Sequence, residues 1–141
     1  MARIDFFPSQ NYELKLSKFF DVKRDDSNRI LNQTKIELKL YFDGKLKKFD
    51  IPLDVKGTQF QKKVWNFILT IPYGEVVSYS FIAKSIGSRK AFRAVGNAVH
   101  ANPVPIVIPC HRVIGKNGSL TGYSSGLKIK KRLLNLECGY I

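Results

Sequence analysis

The segment Ile106-Val107-Ile108-Pro109-Cys110-His111-Arg112-Val113 decides how this chain is read. Its apolar, β-branched run predicts a short buried strand. Pro109 has no backbone N–H to give to a ladder, so the strand is expected to stop there. Cys110 comes next, which puts its thiol at the end of a rigid element, both fixed and reachable. A thiol reacts as thiolate, and a neighbouring imidazole or cation is the usual means of lowering its pKa. His111 and Arg112 offer both groups within two residues. Cys138, the other cysteine, reads as a small buried hydrophobe. Two cysteines at this separation give neither a disulfide framework nor zinc-ligand spacing.

Charge is spread unevenly around that segment. Residues 1–53 hold 11 basic and 8 acidic side chains, a net of +3, and residues 54–141 hold 13 and 3, a net of +10. The asymmetry points to a polyanion as partner of the second part, against the plainer reading of a basic, well-solvated surface. No apolar run approaches a membrane span, and Met1-Ala2-Arg3-Ile4-Asp5 leads into no signal-peptide pattern, so a cytoplasmic location is expected.

Upstream, Thr34 to Phe42 alternates apolar and polar with period two and predicts a strand. Asp43-Gly44 is a turn signal, and Lys45 to Ile51 resumes the alternation, which together predict a hairpin. Ile4 to Phe7, or Tyr12 to Leu16, could add a strand, and Asp21 to Asn28 reads as a loop. Pro52 to Gly57 reads as a linker between a unit at 1–53 and another at 54–141. Thr58 is placed to cap a helix reaching Leu69, with Phe60, Val64, Phe67 and Ile68 on one face. Val76-Val77 predicts a short strand, and Ser78 the cap of a helix containing Ile82 and Ile86.

Gly87-Ser88 predicts a turn into a helix over 89–100. Its inner stripe is Ala91, Ala94, Val95, Ala98 and Val99, while Arg93, Asn97 and His100 share another face. Helix, turn, basic second helix is a helix-turn-helix pattern, although many helical hairpins look alike. Lys116 to Ser119 is a turn and Tyr123 to Gly126 a loop. The last helix, 127–138, is expected to turn Ile129, Leu133 and Leu136 inward. Lys128, Lys130, Lys131 and Arg132 should face out or lay their stems over apolar surface. Glu137 stands at the wrong end of that helix for its dipole, so a partner is expected for it.

Pro109-Cys110-His111-Arg112-Val113 resembles the active-site signature of the O6-alkylguanine-DNA alkyltransferases. Asn102-Pro103-Val104-Pro105-Ile106, Gly122-Tyr123-Ser124-Ser125-Gly126-Leu127 and Leu136-Glu137 extend the likeness, which covers about residues 54 to 141. The resemblance implies an α+β protein. It would have a small N-terminal α/β, ribonuclease H-like domain (1–53) and a C-terminal winged-helix-like domain with a helix-turn-helix (54–141). It implies transfer of an alkyl group from guanine O6 to Cys110, once per molecule, because a thioether is not readily hydrolysed. Neither metal nor organic cofactor is implied, since the substrate carries its own leaving group. The implied partner is double-stranded DNA carrying O6-alkylguanine, approached through the minor groove by a monomer that engages no membrane.

Residue by residue, the resemblance makes Cys110 the nucleophile, His111 its base acting through one water, and Glu137 the orienter of the imidazole. Neighbours on an extended segment point to opposite faces, so direct contact of Cys110 with His111 is not expected. Tyr79 would donate toward the base, Asn102 would act as hinge, and Ser124 would lie near O6. The carbonyls of Cys110 and Val113 would read the exocyclic amine, and Tyr123 would line the pocket. Arg93 matches the finger that fills the vacated stack. Its helix, with Ala94, Gly96 and Asn97, would meet the DNA, and Arg112 is grouped with these contacts. Two other chemistries fit the bare residues: a cysteine hydrolase using Cys110 and His111, and a damage sensor in which Cys110 is inert.

Overall fold

The computed structural model describes residues 25–138. The first element, α1 (Arg29–Phe42), is a helix where the alternation predicts a strand. Asn28 starts it, its side chain accepting from the amides of Ile30 and Leu31. Asp43-Gly44 ends it: Gly44 takes φ 70, and the amides of Gly44, Lys45 and Leu46 donate back to Tyr41 and Leu40. The Asp-Gly pair is therefore a helix terminus, and no strand forms over 45–51. The sequence over 34–42 satisfies both periods. Under the helical one its buried face is Thr34, Glu37 and Tyr41, two of them polar and invisible to an apolar count. Both are satisfied, Thr34 by the Ile30 carbonyl and Glu37 by the Asp50 amide at 2.9 Å. The possible strands at 4–7 and 12–16 lie outside the described residues, as does the first part of the loop over 21–28. Among the described residues of 1–53 there is one helix and no strand.

Residues 51–57 carry no regular structure, yet Ile51 is buried and Leu53 and Val55 pack against the core. Helix α2 (Gln59–Ile68) begins with a reciprocal cap between Thr58 and Gln61 and buries Val64, Trp65 and Ile68. Gly57 passes so close to Trp65 that a Cβ there would stand 2.6 Å from the indole. The indole N–H in turn donates to the Ala98 carbonyl at 2.8 Å, tying α2 to a later helix.

That later helix is the second of a pair. β1 (Val77–Ser78) leads into α3 (Tyr79–Ser85), capped by Ser78 as expected. After the turn at Gly87, α4 (Phe92–His100) starts three residues later than its pattern predicts, because Ser88 to Ala91 close a turn of their own. Val95, Ala98 and Val99 face inward, while Arg93, Ala94, Asn97 and His100 are exposed. Ala94 thus leaves the expected inner stripe.

The segment 106–109 is buried, as predicted, but it is not a strand. Val104, Ile106, Val107 and Ile108 are inaccessible, and their one ladder contact is an isolated bridge between Pro105 and Ile108. Prolines at 103, 105 and 109 remove donors that a ladder needs, and Ile106 takes φ 75, which costs a β-branched residue about 1–2 kcal/mol. The chain then makes a 3-10 turn, Cys110–Arg112, and enters β2 (Val113–Ile114). β2 pairs in parallel with β1, Val77 opposite Val113 and Ser78 opposite Ile114.

Helix α5 (Leu127–Cys138) has the expected bounds and buries Leu133 and Leu134. Two expectations fail on it. Lys130 is fully buried, and Cys138 is exposed. The helices and the two-stranded pair make an α+β arrangement, and no helix among the described residues is long and apolar enough to cross a membrane. If α1 is a helix, Asn28→Ala removes the acceptor for two amides and should cost about 1 kcal/mol in urea unfolding. An unchanged midpoint would contradict the helix start.

Candidate active site

The 3-10 turn lays Cys110, His111 and Arg112 on one buried corner of the core. It replaces the extended geometry that would send the neighbouring side chains to opposite faces. Helix α5 brings Glu137 to the same corner. His111 Nε2 lies 2.7 Å from Glu137 Oε1. Arg112 grips the carboxylate with two donors, Nε to Oε2 at 2.8 Å and one terminal nitrogen to Oε1 at 2.9 Å. Its other terminal nitrogen donates to the Ile71 carbonyl at 2.7 Å. The Gly74 amide donates to Oε2 at 3.2 Å.

This geometry fixes the protonation states. Burial alone would raise the Glu137 carboxyl, but the donors of His111, Arg112 and Tyr41 outweigh it and hold the group well below the usual carboxylate range. An ionised carboxylate only accepts, so Nε2 of His111 carries the proton. Nδ1 keeps its lone pair, is buried, and makes no hydrogen bond to the protein. Burial holds the imidazole below its ordinary pKa, against the opposing pull of Glu137. His111 is therefore a neutral base near pH 7, as a proton acceptor must be.

The sulfur is a resting thiol. Burial pushes Cys110 up, and the Asn102 amide and the Lys130 charge act against that. Asn102 Nδ2 stands 3.0 Å from Sγ and 2.8 Å from the Ile108 carbonyl, while its Oδ1 accepts from the Val104 amide. One side chain thus braces the tight loop and touches the nucleophile. The expectation that Arg112 supplies the local cation does not hold, because its donors are engaged by Glu137 and Ile71. Lys130 takes that place. Its Nζ donates to the carbonyls of Val113 and Thr121, and burial brings its pKa down to about 8. The Tyr123 hydroxyl is buried without a formed hydrogen bond, yet it lies close enough to Cys110 to act weakly against the rise that burial gives the thiol.

Next to this corner lies a pocket of about 580 Å³, lined by Tyr79, Phe92, Gly96, Asn97 and Thr121 among others. The Tyr79 hydroxyl donates to the Thr121 carbonyl at 3.0 Å, the carbonyl that Lys130 also holds. The residues named from the sequence thus fall into three groups. Cys110, His111, Arg112, Glu137, Asn102, Tyr123 and Val113 surround the sulfur and its relay. Tyr79, Gly96 and Asn97 line the pocket. Arg93, Ala94 and Ser124 lie exposed. Sequence reasoning passed over Tyr41, Gly74 and Lys130. Gly74 alone carried a local signal, as a turn glycine, and its φ of 81 makes it hard to replace.

Comparison with known proteins identifies the family. A sequence model described as the 6-O-methylguanine DNA methyltransferase DNA-binding domain matches residues 59–139. The chain belongs to the 6-O-methylguanine DNA methyltransferase family. It is 54% identical over 112 residues to the methylated-DNA–protein-cysteine methyltransferase of Methanosarcina acetivorans, covering 79% of this chain and 72% of that one. The Methanosarcina barkeri protein of the same name is 49% identical over 126 residues, with 88% and 80% covered. Among solved structures, Mycobacterium tuberculosis OGT in complex with DNA superposes with a TM-score of 0.75 at 50% identity, covering 77% and 68%. The matched segment of this methyltransferase family member holds Cys110, His111, Glu137 and the paired helices α3 and α4.

Glu137→Gln leaves the Arg112 guanidinium buried without its charge partner, and should cost about 3–5 kcal/mol. The pH dependence has a definite sign. Glu137 titrates lower folded than unfolded, so its contribution is full above the ordinary carboxylate range and is lost as pH falls below that range toward the depressed folded value. The unfolded His111 takes up a proton before the folded one does, which also removes stability below about pH 6.5. Urea unfolding between pH 2 and 5 should show wild-type stability declining on acidification and a flatter curve for Glu137→Gln. Parallel curves would contradict the ionised assignment.

Proposed function

We propose that the protein repairs DNA by taking the alkyl group of O6-alkylguanine onto Cys110, irreversibly and once per molecule. The observation that carries this reading is the Glu137–His111 contact at 2.7 Å, joined through the 3-10 turn to a buried thiol that Asn102 touches. That assembly is a nucleophile, base and orienter set, held by a chain whose relatives are named for alkyl transfer to cysteine.

His111 Nδ1 takes the thiol proton through one water. The sulfur attacks the alkyl carbon, the S–C bond forms and the C–O6 bond breaks, and the electron pair passes into guanine. Guanine recovers a proton there, which the Tyr79 hydroxyl helps to deliver by leaving the Thr121 carbonyl. The carbonyls of Cys110 and Val113 read the exocyclic amine. Each already accepts one hydrogen bond, from the Val113 amide and from Lys130 respectively, and each retains a second lone pair. Ser124 stands near O6, and Tyr123 borders the bound base on the side of the sulfur. No step calls for a metal or an organic cofactor.

The base reaches this corner by leaving the duplex. Arg93, exposed on α4, fills the vacated stack while Ala94, Gly96 and Asn97 approach the backbone through the minor groove. We assign residues 54–141 to a winged-helix-like domain with α3 and α4 as its helix-turn-helix, and residues 1–53 to an N-terminal domain of ribonuclease H-like kind. We further assign a monomer acting in the cytoplasm.

Intact-mass measurement after incubation with duplex DNA holding O6-methylguanine should show one added methyl, located on Cys110. Repeated turnover would mark a hydrolase, and an unchanged mass a sensor. Arg93→Ala should slow repair in duplex by about tenfold or more, since stacking and phosphate contacts are lost there, while transfer from the free modified base changes little. Equal slowing on both substrates would remove Arg93 from the finger role.

A further inference from the structure

Tyr41 belongs to α1, outside the matched segment, yet it ends in the centre of the relay. Its side chain is completely buried, its ring lies 5.5 Å from that of Phe49, and its hydroxyl donates to Glu137 Oε1 at 2.6 Å. The Tyr41 hydroxyl oxygen also stands 3.4 Å from His111 Nε2. Oε1 thus receives three donors, from His111, Tyr41 and Arg112, and Oε2 receives two, from Arg112 and Gly74. A carboxylate offers about four lone-pair sites, so five donors compete for its charge.

We infer that Tyr41 is a positioning residue for alkyl transfer: its hydroxyl draws charge from the Glu137 oxygen that holds His111, and so keeps the imidazole neutral and the lone pair of its free nitrogen available. The inference rests on the proposed reading of Cys110 and His111. It gives the N-terminal unit a part in the chemistry, through a single hydroxyl placed by α1.

Charge balance around the imidazole shows why that hydroxyl counts. The groups facing His111 are Glu137 from α5, Lys130 from the same helix, Arg112 from its own turn, and Tyr41 from α1. Glu137 alone favours the imidazolium, while burial, Arg112 and Lys130 oppose it. Removing the Tyr41 donor leaves more of the Oε1 charge to His111 and strengthens the one influence that protonates it. The base is then lost at a higher pH than in the wild type.

The test is Tyr41→Phe, which keeps the ring and removes only the hydroxyl. The chain has two histidines, His100 and His111, so 15N-imidazole NMR follows each separately. In Tyr41→Phe, His111 should protonate at higher pH than in the wild type, while His100 does not move. Methyl transfer from duplex O6-methylguanine should fall about threefold at pH 6 and little at pH 8.5. Phe49→Leu supplies the packing control: it loosens the Tyr41 ring but leaves the hydroxyl, so it should lower stability without moving the pH profile. A His111 titration unchanged in Tyr41→Phe overturns the inference, as does an equal shift in Phe49→Leu. If the wild type itself transfers no methyl, the proposed function fails, and the imidazole titration still decides the role of Tyr41.

Discussion

The carboxylate of Glu137 is the point on which the rest of the site depends. It is a buried charge, and a buried charge persists only when its oxygens are paired. Here the partners arrive from three directions: α1 through Tyr41, the turn after α2 through Gly74, and the 3-10 turn through His111 and Arg112, with α5 presenting the acid itself. The carboxylate therefore joins elements far apart in the chain while it sets the tautomer of the base. Structural and chemical roles cannot be separated at this residue, because the donors that stabilise the charge are the ones that tune the imidazole.

The sulfur is held on a different principle. Burial keeps Cys110 protonated at rest, which protects a reactive thiol from adventitious chemistry. Activation then requires a neutral base and a nearby cation rather than a standing thiolate. In the proposed reading His111 is the first and Lys130 the second. The buried lysine is anchored on two carbonyls, one from β2 beside the nucleophile and one from the loop that also receives the Tyr79 hydroxyl. The walls of the pocket and the environment of the sulfur thus share one ammonium group.

Some elements were legible because one strong local signal fixed them. The Thr58 cap, the Ser78 cap, the turn at Lys116 to Ser119 and the bounds of α5 all follow from side chains acting on their own backbone. The misread elements fail where local signals conflict. Residues 34–42 alternate like a strand, but a cap at Asn28, a terminus at Gly44 and a buried face containing Thr34 and Glu37 make them a helix. Residues 106–109 are apolar like a core strand, and their burial was legible, but prolines at alternate positions and the left-handed backbone of Ile106 leave no ladder to join.

The sequence by itself determined the chemistry: a cysteine, an imidazole and one of only three acids in an otherwise basic segment, with the spacing that marks the family. Only the tertiary structure decided which groups serve that chemistry. Lys130 is one of four cations in five residues of α5, and nothing local distinguishes it from its solvated neighbours until the helix is packed. Arg112 sits beside the nucleophile in sequence and yet spends its charge on Glu137. Tyr41 is 96 residues from the acid it touches. Local sequence encodes caps, turns and residue types through short-range contacts. The identity of a buried partner depends on which faces the core brings together, and that is a property of the whole packed chain.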